Sequence, residues 1–241
     1  KGLYVTWAVN WLIKPFSMYA ISAFFFFVVF KNFITPELAT EYLAGAILLG
    51  AAPCTAMVFV WSQLTKGNPA YTVVQVATND LIILVAFIPI VKFLLGVSNV
   101  TVPWDTLILS VVLFVVIPLV GGVLTRIFVT KKKGVTYFEK DFLSKFDGAT
   151  TAGLLLMLVL LFSFQGEVIL ENPLHILMIA VPLILQTFLI FFIAYFASKA
   201  LQLPHASAAP AGMIGASNFF ELSVAVAIAL FGMDSPAALA T

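Results

Sequence analysis

Charge and cysteine are what this sequence has least of. Of its 241 residues only 10% are Asp, Glu, Lys or Arg and 62% are hydrophobic, whereas soluble domains carry roughly a quarter charged residues. A water-soluble globular domain is excluded, and the chain reads as an integral membrane protein whose partner is the lipid bilayer. Twelve basic against eleven acidic residues leave a net charge of +1, so nothing favours nucleic acid or an acidic partner. The single cysteine, Cys54, rules out an intramolecular disulfide and says nothing about redox compartment. Motifs of the CxxC or HExxH type and clustered histidines are missing, so no structural metal, zinc protease or cofactor is implied. No secretory leader is visible, because the first apolar run is too long for an h-region and lacks a small-residue cleavage site. The chain opens on Lys1 and stops in the apolar stretch DSPAALAT, and both ends are expected to be incomplete.

What is abundant is apolar sequence of helical length. A hydrocarbon core about 30 Å thick needs about 20 apolar residues, and seven segments supply them: residues 5–30, 41–64, 71–96, 106–129, 149–164, 173–198 and 206–231. They are too long for the alternating strands of a barrel, so the expected fold class is all-α. The stretch TKKKGVTYFEKDFLSKFDG, residues 130–148, holds five of the twelve basic residues, which places it in the cytoplasm by positive-inside bias. The alternation then fits four other loops: 97–105 and 165–172 carry acids and no Lys or Arg, while Lys66 and Lys199 fall in loops expected inside. Tyr137, Phe138, Phe142 and Phe146 recur at helical spacing, which fits either a short helix on the membrane surface or a solvated linker.

Two spans are interrupted. Pro53 stands midway along 41–64 in GAAPCTAMVFVW; proline removes a backbone hydrogen bond and clashes with the preceding turn, so the helix is expected to end near Ala51 and restart with Pro53 as its first residue. Span 206–231 carries Gly212, Gly215, Ser217 and Asn218 at its middle, and Asn218 followed by Glu221 has the form of a capping box, a helix-start signal. Two broken spans in corresponding places point to a transporter site built from inverted repeats. Five helix positions separate the breaks, and an odd repeat is necessarily inverted, giving a five-plus-five plan of about ten helices with three of them outside this sequence. Small residues flank both breaks, Gly45, Ala46, Gly50, Ala51 and Ala52 on one side and Ala208, Ala211, Gly212, Gly215 and Ala216 on the other, and are expected to let the broken helices cross closely. The blander reading of Pro53 is a simple kink, and of Asn218 a hydrogen bond to a neighbouring helix.

At a helix start the first N–H groups are unpaired and carry about half a positive charge. Cys54 at the second position of such a turn would present a thiolate as a soft ligand, against the alternative of an inert buried thiol. Soft sulfur prefers thiophilic species over Na⁺, K⁺ or Mg²⁺. Glu221, an ionisable group inside a span, is a proton-carrier candidate, or it merely caps the helix through Asn218. The substrate site expected from the two breaks comprises Cys54, Thr55, Ser217 and Asn218. Asn79 and Asp80, about 13 Å into their span, are candidates for lining the cytoplasmic approach, although Asp80 can equally pair with a cation. Lys14, beside Asn10, Trp11 and Pro15, either snorkels to water or faces the core.

The stretch GAAPCTAMVFVWSQLTKGNPAYTVVQVATNDLIILVAFIPIVKFLLG, with NWLIKPF near the start and IGASNFFELSVAVAIALFG near the end, resembles the arsenical-resistance arsenite efflux permeases of the bile acid:sodium symporter superfamily. The resemblance covers essentially the whole chain, and it implies ten helices, a core domain with two crossed discontinuous helices, and a panel domain. On this chain the core would be residues 1–97 and 166–241, with broken helices 41–64 and 206–231, and the panel residues 98–165 with the basic loop 130–148. It further implies export of trivalent arsenic, arsenite and in some members antimonite, across the plasma membrane in exchange for protons. The family's essential cysteine falls on Cys54, where arsenic is bound as substrate, and its essential glutamate on Glu221. The rival functions are a sodium-coupled organic anion symporter of the same superfamily, an intramembrane enzyme with Cys54 as nucleophile, for which no base stands near, and a passive channel. Antimonite acceptance, proton stoichiometry and oligomeric state are not legible in the sequence.

Overall fold

A computed structural model describes residues 1–54, 57–98, 100, 103–171 and 173–241, without side-chain detail at positions 114, 147, 150, 151, 154, 157, 161, 164, 165, 167, 168 and 171. Among the described residues all regular structure is helical. The chain divides into two compact units, one of Lys1–Ser110 with Leu174–Thr241 and one of Val111–Pro173.

The first unit contains α1 (Gly2–Val29), α2 (Pro36–Gly50), α3 (Val58–Leu64), α4 (Pro69–Val97), α5 (Trp104–Val111), and later α8 (Pro173–Ala200), α9 (His205–Ala216), α10 (Phe220–Phe231) and α11 (Pro236–Leu239). The second contains α6 (Ile117–Lys133) and α7 (Ser144–Glu171). Four helices among the described residues are long and apolar enough to cross a membrane: α1, α4, α8 and the interrupted α9–α10.

Three helix starts, those of α2, α4 and α11, follow one local rule. Thr35, Asn68 and Ser235 each precede a proline and each accepts a hydrogen bond from the backbone N–H three residues on, at 3.3, 3.1 and 3.1 Å. The proline contributes a preset φ where no N–H is needed. Pro15 and Pro210 show two ways of accommodating a proline inside a helix. In α1 the turn Val9–Ile13 widens to π geometry immediately before Lys14 and Pro15, which relieves the clash of the proline ring with the carbonyl four residues earlier. In α9, Pro210 cannot donate to the Ala206 carbonyl, and the Asn68 N–H takes that bond at 2.8 Å, a neighbouring element satisfying a freed group.

The interior of the first unit is unusually polar for a protein core. Thr6, Asn10, Lys14, Ser22, Gln75, Asn79, Gln186, Ser198 and Ser223 are fully buried, while Leu12, Val85 and Leu177 are 70%, 76% and 64% exposed. That inversion suits a chain whose outer face meets hydrocarbon. A ladder joins α1 to α4: Thr6 Oγ1 donates to Gln75 Oε1 at 3.2 Å, Trp7 Nε1 to Thr78 Oγ1 at 3.2 Å, and Asn10 Nδ2 and Trp11 Nε1 to Asn79 Oδ1 at 3.1 and 2.9 Å. Gln75 Nε2 continues it to α9, donating to the Pro210 carbonyl at 2.9 Å.

In the second unit the basic segment expected as a 19-residue loop is largely helical. α6 runs on to Lys133, turns at Gly134, where φ is +85°, and helical turns over Val135–Tyr137 and Phe138–Phe142 lead to α7. Phe138 stacks on Phe142 with centroids 5.6 Å apart, and Phe142 meets Phe146 at 5.1 Å. The aromatic spacing read from sequence is therefore a real helical face, and the linker reading of that stretch is replaced.

Candidate functional site

Both expected interruptions exist, and they meet. α2 ends at Gly50 and α3 begins at Val58; α9 ends at Ala216 and α10 begins at Phe220. Between them, Cys54 N–H donates to the Ser217 carbonyl at 3.4 Å and Phe219 N–H to the Ala52 carbonyl at 3.1 Å. This exchange is the wide pair of an antiparallel ladder, and it sets Pro53 opposite Asn218. In such a pair the central N–H points away from the partner, so proline at 53 sacrifices no bond of the clasp. The ends of the helices are tied in as well: Ser217 Oγ donates to the Cys54 and Ile214 carbonyls, both at 2.9 Å, and Ser223 Oγ on α10 donates to the Leu48 carbonyl at the end of α2, also at 2.9 Å.

Two local expectations need correction. The second half of the first broken helix does not begin at Pro53: Pro53 and Cys54 are non-helical and α3 starts at Val58, so Cys54 is not in the first turn of a helix. Its backbone is drawn instead into the clasp with Ser217, which outcompetes a helical start. The capping box does not form either. The residue preceding α10 is Phe219, with no side-chain cap, which puts Glu221 one place too early to reach back to Asn218. Asn218 Oδ1 and Glu221 Oε2 are both buried and without a hydrogen-bond partner. An unmet buried acceptor costs about 1–3 kcal/mol.

The glycines near the breaks also serve other contacts than the one expected. A Cβ on Gly50 would lie 2.6 Å from Met18 of α1, one on Gly212 2.9 Å from Phe191 of α8, and one on Gly45 against the Ala237 carbonyl of α11. These residues admit α1, α8 and α11 to the broken helices rather than admitting the broken helices to each other.

Of the remaining expected residues, Cys54 is buried at 5% exposure and Ser217 lies in the clasp. Thr55 lies outside the described residues. Asn79 is fully buried, with its carboxamide oxygen taken by Asn10 and Trp11 and its Nδ2 donating to the Gln75 carbonyl at 2.8 Å; its side chain is spent on joining α1 to α4 rather than presented to a path. Asp80, next along α4, is half-buried.

The residue that sequence reasoning left undecided is Lys14. It is completely buried, and its Nζ donates to the Ala52 carbonyl at 3.3 Å and to the Ser217 carbonyl, one acceptor from each break. It also stands within Coulombic range of Cys54. The signal for it was present, since an ionisable residue inside an apolar run faces a protein interior by default; the widened turn before it decides the direction.

The pattern of the Sodium Bile acid symporter family matches residues 1–172. The chain belongs to that family. Among individual relatives of this family member, the arsenical-resistance protein Acr3 of Alkaliphilus metalliredigens is 67% identical over 241 residues, all of this chain and 68% of the relative. The uncharacterized transporter slr0944 of Synechocystis is 47% identical across the whole chain and 65% of the relative. The arsenical-resistance protein Acr3 of Corynebacterium glutamicum is 34% identical over 98% of the chain and 64% of its own length. The chain thus spans about two thirds of each relative, and the expected kinship with the arsenical-resistance branch holds. It is a multi-pass membrane protein.

Proposed function

We propose that this symporter-family chain is the larger part of a secondary active transporter that carries trivalent arsenic out of the cytoplasm, across the plasma membrane, in exchange for protons. The observation that carries the reading is the clasp of two interrupted helices, which brings the only cysteine of the chain next to the segment bearing Asn218 and Glu221. The names of two relatives, arsenical-resistance proteins, support the substrate class.

Arsenous acid is uncharged at neutral pH and offers three O–H donors on a thiophilic centre. Cys54 binds it by exchange: the S–H bond and one As–OH bond break, an S–As bond forms, and water leaves. Soft sulfur selects arsenic over the hard cations of the cell, and a single thiolate keeps the adduct reversible. The unmet oxygens of Asn218 and Glu221 accept the remaining hydroxyls. Glu221 takes a proton from outside when arsenic departs and returns it inside, which couples the two fluxes. Rocking of a core against a panel on an inverted-repeat plan provides alternating access.

The test is arsenite uptake into everted vesicles with and without an imposed pH gradient, in sodium-free buffer. Uptake driven by the gradient and lost in Cys54→Ser, with the variant inserted normally, is the expected result. Unchanged uptake by Cys54→Ser removes the ligand role, and an absolute need for Na⁺ replaces proton exchange with sodium coupling.

A further inference from the structure

The two carbonyls at the clasp are used in a symmetrical way. Ala52 O accepts one backbone N–H from the other break, that of Phe219, and one N–H from Lys14; Ser217 O accepts one backbone N–H, that of Cys54, and one from Lys14. After the clasp has formed, each carbonyl still has a lone pair, and both are met by the same ammonium. The electrostatics run the same way. α2 and α9 both direct their C-terminal ends to this point, and each end carries about half a negative charge. Together they amount to about one elementary charge in an environment without bulk water, and the unmet oxygens of Asn218 and Glu221 lie on the same segment. In transporters built on broken helices, unwound carbonyls and half-helix C-terminal ends are what coordinate a coupling Na⁺.

We infer that the crossing of the broken helices is a monovalent-cation site whose occupant is the protein's own Lys14 ammonium. A tethered cation fills the place that a dissociable one would take, so the site needs no Na⁺ to hold the two breaks together. The inference goes beyond the proposed arsenite–proton exchange by naming the ion the site excludes, and it rests on that reading only for its meaning in coupling.

The test is a binding measurement that does not involve arsenite. Full-length protein purified in detergent is melted in sodium chloride and in choline chloride at matched ionic strength. Wild type and Lys14→Arg, which keeps a cation in place, are expected to melt at the same temperature in both salts. Lys14→Ala is expected to melt lower in choline and to recover saturably as Na⁺ replaces choline; Lys14→Ser is a second, hydrogen-bonding variant carried through the same comparison. The inference is overturned if Na⁺ stabilises wild type as strongly as Lys14→Ala. It is equally overturned if the two small variants fold but ignore Na⁺, or fail to fold in either salt, because Na⁺ should then have replaced the ammonium. Loss of the arsenite reading would leave these melting data standing, and the reverse also holds.

Discussion

Gly45→Ala is a single-methyl change whose sign the structure decides. Gly45 lies in the interior of α2 and faces α11. A Cβ placed there would press on the Ala237 carbonyl oxygen and sit 2.8 Å from the Ala240 Cβ, where apolar carbons pack at about 3.5–4.0 Å. One of the atoms met is backbone, so no rotamer change relieves the contact and α11 must back away by about 1 Å. Overpacking of this kind costs about 1–3 kcal/mol. Against it stands the gain of replacing glycine by alanine within a helix, about 1 kcal/mol. The net expectation is destabilisation by about 1 kcal/mol, a fall of about 2–4 °C in melting temperature for a protein of this size. Gly121→Ala in α6 is the matching control: nothing stands within 4 Å of its Cβ, so the helix gain is unopposed and stability should hold or rise. Thermal unfolding of the two full-length variants in one detergent measures the difference. A Gly45→Ala protein as stable as Gly121→Ala would refute the close approach of α11 to α2.

Glu221→Gln should insert and fold as wild type but transport arsenite without dependence on the pH gradient, read in everted vesicles; a variant that still exchanges arsenite for protons removes Glu221 from the carrier role. Asn79→Leu strands the Asn10 amide and the Trp11 indole N–H, and should lower stability by about 2–5 kcal/mol while leaving uptake per folded molecule intact. Normal melting with uptake lost would instead make Asn79 part of the substrate path.

The interruptions themselves were legible because each is a composition anomaly inside an apolar run: a proline followed by the only cysteine, and a small polar cluster leading to an acid. Their local geometry was not. Pro53 is well suited to start a helix, and Asn218 with Glu221 has capping spacing, but both tendencies are worth about 1 kcal/mol, and the clasp of Cys54 with Ser217 and of Phe219 with Ala52 overrides them. No single-strand pattern shows that two segments 163 residues apart will pair. The glycine-rich faces were legible as close contacts but not as contacts with any particular helix, since a missing side chain does not name its neighbour. Lys14 was visible as an anomaly; its direction depends on a widened turn at Val9–Ile13 that local propensity does not announce. The basic segment read as a loop is mostly helix, because lysine and glutamate are good helix formers wherever packing does not decide.

The polar rungs between α1 and α4 bear on how the protein is made. Taken alone, residues 2–29 bring Lys14 and Asn10 into the bilayer with nothing to meet them, and a lysine at the middle of an isolated span is charged about 2.5–3.5 kcal/mol at the translocon. The acceptors are synthesised only later: Asn79 of α4 for Asn10, and the Ala52 and Ser217 carbonyls at the two breaks for Lys14. Stable residence of the earlier segment in the membrane must therefore await later ones: Asn79 is added fifty residues after Val29, and Ser217 only near the end of the sequence.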